Sequence, residues 1–149
     1  MRPVSEGLRG LLREAAVKHA DETPWRTDGD NGYAWVFLAG RVRLLACEDT
    51  RAMSVPAAVL ADSAGCLMTD RYAGYNCFAG RRGYCFEHLK RDTLAVALEN
   101  PASAECAAFA ETLVPWLRAA MSLRRACAGD NVSYLVRAAL IRRRIEDIA

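Results

Sequence analysis

The 149-residue sequence has no run of about 18 apolar residues, so no membrane-spanning helix is expected from it. Its first residues, Met-Arg-Pro-Val-Ser-Glu-Gly, lack the apolar core that a secretory signal needs, and the expected location is therefore cytoplasmic. Cys-x-x-Cys is missing although there are six cysteines, which argues against a thioredoxin motif or a zinc ribbon. Those six, Cys47, Cys66, Cys77, Cys85, Cys106 and Cys127, fall mostly in apolar segments, where reduced, buried thiols are the expectation. Histidine is scarce, with only His19 and His88. Cys85 and His88 have the spacing of half a zinc site, but no second half is present, so a structural role is expected for them. Charge of one sign is also lacking, and a net +2 does not by itself argue for nucleic acid.

What is present is ordinary globular material, 52% hydrophobic and 26% charged, in a chain long enough for one domain with a real core. The basic residues are unevenly spread. Arg81-Arg82, Lys90-Arg91, Arg124-Arg125 and Arg142-Arg143-Arg144 all lie in the second half. Each cluster alone reads as a solvated helix face, and together they permit a surface that tracks phosphates.

Apolar periodicity predicts a helix from Ser5 to Ala16 with Leu8, Leu11, Leu12 and Ala15 on one face and Ser5 as N-cap. A strand follows from Val17 to Trp25, then the turn Asp28-Gly29-Asp30-Asn31-Gly32. The continuous apolar run from Tyr33 to Ala39 suits a strand buried on both faces, and Arg41 to Cys47 a more exposed one. These three form an antiparallel meander. A helix capped by Ser54 and carrying Pro56 in its first turn runs to about Asp62. It leads to a short strand, Cys66 to Thr69, which the crossover makes parallel to its partner. The simplest partner is the first strand. Gly80 to Cys85 is a fifth, short strand candidate. Thereafter the chain is helical: Glu87 to Leu98, Ala102 to Cys127 with Pro115 inside, and Val132 to Ile148, broken at Asn100-Pro101 and at Gly129-Asp130-Asn131.

This order, three antiparallel strands, a crossover helix and a parallel fourth strand followed by an all-helical segment, opens a mixed α/β sheet of the ribonuclease H-like kind. It sets Asp21 and Asp70 at one edge, each at a strand end. Hard carboxylate oxygens on a rigid scaffold suit Mg²⁺ or Mn²⁺, and two such ions about 4 Å apart activate an attacking oxygen and stabilise a leaving one in phosphoryl transfer. Strand-end aspartates are more often caps or turn formers, so these two alone carry little.

Their surroundings say more. His19-Ala20-Asp21-Glu22-Thr23-Pro24-Trp25-Arg26 closely resembles the first catalytic motif of insertion-sequence 66 family transposases. Thr69-Asp70-Arg71-Tyr72-Ala73-Gly74-Tyr75-Asn76 resembles their second, and Cys85-Phe86-Glu87-His88-Leu89-Lys90-Arg91-Asp92 their following Cys-x-x-His block with its basic residues. The resemblance spans roughly residues 8 to 125. It implies that Asp21 and Asp70 are the first two carboxylates and metal ligands of a DDE active site. The cofactor would be Mg²⁺ or Mn²⁺, and the partner DNA, both transposon ends and target. The reaction would be strand cleavage and 3′-end transfer.

The resemblance makes residues 1–92 a partial ribonuclease H-like catalytic domain and residues 93–149 a helical insertion-like segment. The family's third acid, a Glu in an Asn-Asn-x-x-Glu-Arg block, has no counterpart: Asn131 is isolated, and Glu146 lies in Arg144-Ile145-Glu146-Asp147. The expectation is a truncated catalytic fragment. Its alternative is a non-catalytic remnant that binds DNA or pairs with a full-length transposase. An apolar sheet face left exposed, or covered in a homodimer, is expected with either.

Among the neighbours, His19 shares the face of Asp21, and Glu22 points the other way, toward solvent or an ion pair. Tyr72 and Tyr75 are expected to pack under the site. His19, Arg71, Tyr72, Lys90 and Arg91 are the candidate DNA contacts.

Overall fold

The computed structural model describes residues 2–148. Its backbone forms two compact units, residues 1–84 and 85–149.

The first unit is a five-stranded mixed sheet with two helices. Helix α1 (Arg2–Glu14) leads to β1 (Val17–Thr27), β2 (Asp30–Ala39) and β3 (Val42–Glu48), then α2 (Ser54–Leu60), β4 (Cys66–Thr69), a 3-10 turn (Ala73–Cys77) and β5 (Arg81–Tyr84). The strand order is β3-β2-β1-β4-β5. β1, β2 and β3 pair antiparallel, and β4 lies parallel to both β1 and β5. α1 begins before Ser5, which is interior to the helix rather than its cap. Ser54 is likewise the first residue of α2 and not its cap. The entry is shaped instead by the Thr50 hydroxyl, which accepts from the Ala52 N–H at 3.1 Å.

One sheet face carries the core. Leu12, Ala20, Trp35, Phe37, Leu44, Val59, Leu60, Leu67, Tyr75 and Phe78 pack together there. Arg13 ties α1 to α2 by donating to the carbonyls of Val59 and Ala58, both at 2.9 Å, which satisfies free carbonyls in the last turn of α2. β2 departs from its expected burial on both faces. Trp35, Phe37 and Ala39 are buried, whereas Ala34, Val36 and Leu38 on the opposite face are only half-buried. That second face also carries Val17 and Leu45, 49% and 73% exposed.

The second unit consists of α3 (Phe86–Glu99), α4 (Ala104–Ala126) and α5 (Asn131–Glu146). Ser103 caps α4 by accepting from the Cys106 N–H at 3.2 Å, and Asp130 caps α5 by accepting from the Ser133 N–H at 2.9 Å. α4 runs through Pro115. Leu123, Cys127 and Ile141 form a small core with Trp116, Tyr134, Ala138 and Ile145 against it. Of the six thiols, all free, only Cys127 is buried; Cys47 is exposed and the others are intermediate. The expectation of buried cysteines fails at Cys47 because β3 is an edge strand and Cys47 sits on its outward side.

Candidate functional site

Side chains alternate along a strand, so register decides what shares a face. β1 pairs with β4 through Val17 and Cys66, Lys18 and Leu67, and His19 and Met68. Two residues beyond the last pair, this register sets Asp21 level with Asp70, on neighbouring strands whose backbones run about 4.8 Å apart. On its other side Asp21 faces Val36, which in turn faces Leu45. The row Leu45, Val36, Asp21, Asp70 thus crosses the outward face of the sheet. His19 and Met68 stand one step back along it. Asp21 and Asp70 are half-exposed and His19 exposed, so all three lie within reach of a solute.

Local contacts begin to orient the pair. Asp21 Oδ1 accepts from the Glu22 N–H at 3.1 Å, and Asp70 Oδ1 from the Tyr72 N–H at 2.9 Å. The second bond closes a tight turn just where β4 ends and the 3-10 turn begins. Gly83 on β5 leaves the space beside Met68, since a Cβ there would lie 2.3 Å from the Met68 Sδ.

The inward face directly beneath holds a polar cluster that sequence reading largely missed. Glu22 points away from Asp21 as expected, yet its side chain is only 1% exposed. Its Oε1 accepts from Arg51 Nε at 2.9 Å and Nη2 at 2.5 Å, and its Oε2 accepts from the Tyr75 hydroxyl at 2.5 Å. Thus Glu22 takes the ion pair and not the solvent. The Arg51 guanidinium lies 4.0 Å over the Tyr72 ring, whose hydroxyl donates to the Arg51 carbonyl at 2.5 Å. Tyr72 meets Tyr75 edge to face at 5.9 Å, so both tyrosines pack beneath the sheet near the end of β4.

Burial raises the Tyr75 phenol far above its usual range, and the hydrogen bond to Glu22 and the charges of Glu22, Asp21 and Asp70 add to the rise. The hydrogen bond to Glu22 raises Arg51. A signal for Arg51 was absent from the sequence, because it sits in the loop after β3 and its partner is 29 residues away.

Lys18 was also missed. It is fully buried, inward like Ala20, and donates to the Ala15 and Ala64 carbonyls at 2.6 and 2.5 Å. Burial lowers its pKa. The ammonium thereby ties the end of α1 to the loop before β4.

The remaining candidates fall as follows. Arg71 is exposed beside Asp70. Lys90 and Arg91 belong to α3 in the second unit, where Lys90 pairs with Glu87 at 2.5 Å and Arg91 is exposed. Cys85 is the N-cap residue of α3, its carbonyl accepting from the Leu89 N–H at 3.2 Å, with His88 one turn along. Among the described residues no group of three or more His, Cys, Asp and Glu gathers that could hold a metal ion. No helix among them is long and apolar enough to cross a membrane.

Asp70 follows the last residue of β4 as expected, but Asp21 lies within β1 and not at its end, because pairing with β2 carries β1 on to Thr27. A mixed α/β unit with two carboxylates on adjacent parallel strands, followed by helices, is therefore the class of protein in hand. Residues 1–146 match the family described as Transposase IS66 family, and the chain belongs to that family. The match extends beyond the residues 8 to 125 over which the motifs carried the resemblance. No curated protein and no solved structure matched the chain.

Proposed function

We propose that this chain carries the first two carboxylates of a DDE-type transposase site on a ribonuclease H-like sheet, with Asp21 and Asp70 as ligands for Mg²⁺ or Mn²⁺. The observation that carries the reading is the parallel register of β1 and β4, which levels Asp21 with Asp70 on one accessible face. Two carboxylates there supply hard oxygen donors and negative charge, the donor set these cations prefer. The cation, when bound, would supply Lewis acidity toward a phosphodiester. The chain's own part is to hold the two carboxylates and leave their face open. His19 and Arg71 flank the pair as DNA contacts. Tyr72 supports the site from below, its ring engaged by the Arg51 guanidinium and by Tyr75. Lys90 and Arg91, on α3, are proposed as phosphate contacts of the second unit taken by itself.

The second reading is a non-catalytic transposase relative that binds DNA or a full-length transposase as a regulator. It is favoured by the absence, among the described residues, of a third His, Cys, Asp or Glu gathered with the pair, since loss of one ligand of a metal site removes most of its rate. Mn²⁺-dependent nicking of supercoiled DNA separates the two readings. Nicking by the wild type that disappears in Asp21→Ala supports the catalytic reading. Equal nicking in both would refute the pair as the site, and none in either, with salt-dependent DNA binding retained, supports the regulator.

A further inference from the structure

We propose that Glu22, Arg51 and Tyr75 are positioning residues that clamp Asp70 beside Asp21 from the opposite face of the sheet, which rests on reading those two aspartates as a metal pair. Glu22 is the residue next to Asp21 on β1, so whatever is fastened to Glu22 is fastened to the strand that carries Asp21. Both of its carboxylate oxygens are engaged. One takes the two Arg51 donors, and the other the Tyr75 hydroxyl. Arg51 brings the loop after β3, and Tyr75 brings the turn after β4.

Tyr72 completes the connection to Asp70. Its ring lies under the Arg51 guanidinium and meets Tyr75 at a near-perpendicular angle, and its hydroxyl is fixed on the Arg51 carbonyl. Its backbone N–H donates to Asp70 Oδ1 at 2.9 Å. An unbroken set of contacts thus runs from Glu22 through Arg51, Tyr75 and Tyr72 to one carboxylate oxygen of Asp70. Without it, Asp70 would sit on a loop just past the last residue of a four-residue strand.

The arrangement is costly as mere packing. Placing a carboxylate that is 1% exposed beneath the sheet requires a full set of partners, and an apolar residue would fill the space more cheaply. Its return is geometric. Ligands of a metal pair need positions fixed to a fraction of an ångström, and outer hydrogen-bonding partners supply that.

Two variants test the clamp. Tyr75→Phe removes one oxygen, and Arg51→Lys keeps the charge while losing the planar fork. In metal-free protein, amide hydrogen exchange should show the Tyr72 N–H losing protection by roughly tenfold, with the Leu67 and Phe37 amides unchanged. Mn²⁺ affinity, read from water-proton relaxation, should fall by about tenfold or more in both variants. Unchanged Tyr72 exchange in both, or lost protection with wild-type Mn²⁺ affinity, overturns the clamp. Wild-type affinity no greater than that of Asp21→Ala would instead refute the metal pair, and with it the purpose of the clamp.

Discussion

Replacing Gly65 by alanine tests how β4 is seated against β1. Gly65 has φ +93°, a conformation that costs a residue with a Cβ about 1–2 kcal/mol. The added methyl would lie 2.5 Å from the Ala16 carbonyl oxygen, which is backbone and cannot swing aside. That oxygen accepts from the Cys66 N–H at 2.9 Å, the first bond joining the two strands, while the Gly65 carbonyl accepts from the Arg81 N–H at 2.9 Å. Relieving the clash sacrifices at least one of these bonds, each worth about 1 kcal/mol. The expected loss is therefore about 2–4 kcal/mol, or roughly 1–2 M in urea midpoint.

Urea unfolding followed by Trp35 emission reports on this unit, since Trp35 is fully buried in its core. Trp25→Phe and Trp116→Phe in the background remove the exposed and the second-unit signals. Gly7→Ala is the control. It lies in α1 with nothing near its Cβ position and should stabilise by about 0.5–1 kcal/mol. A Gly65→Ala loss below about 1 kcal/mol would refute the steric argument.

Two further outcomes follow from other parts of the chain. The raised Tyr75 pKa means that the folded state keeps a proton which the unfolded state releases above its ordinary value of 10.0. The resulting stability is complete below that pH and drains as pH rises through it, by at most about 1.4 kcal/mol per pH unit. Urea midpoints from about pH 9 to 11 should fall less steeply for Tyr75→Phe than for wild type, and identical slopes would contradict the burial argument. Pro115→Ala should stabilise the helical unit by about 1–3 kcal/mol, because Pro115 is exposed within α4 and denies the helix one internal hydrogen bond. Circular dichroism melting would register this as a higher Tm, and a lower one would show that the helix depends on the proline.

Local pattern determined a good deal of this protein. The order of strands and helices, the parallel pairing of β4 with β1, the break at Asn100-Pro101 and the station of Asp70 at the end of β4 all follow from periodicity, turn chemistry and motif. Those signals operate over a few residues, and so does the alternation that put His19 with Asp21 and Glu22 opposite. Element starts were less legible: α1 begins before Ser5 and α2 at Ser54 itself, so neither serine is the cap it resembled, and the Thr50 turn shapes the entry to α2 instead.

Tertiary structure alone decided which face of the sheet is covered and what meets there. Glu22 finds Arg51 at a separation of 29 residues and Tyr75 at 53, and Lys18 finds the Ala64 carbonyl at 46. No periodicity links such positions. They meet because sheet register and a crossover helix bring distant loops to one point, and burial then obliges each polar group to take the partner it finds. The sequence could place two carboxylates on two neighbouring strands; only the fold could carry β1 past Asp21, lay the two level and build beneath them the contacts that hold one against the other.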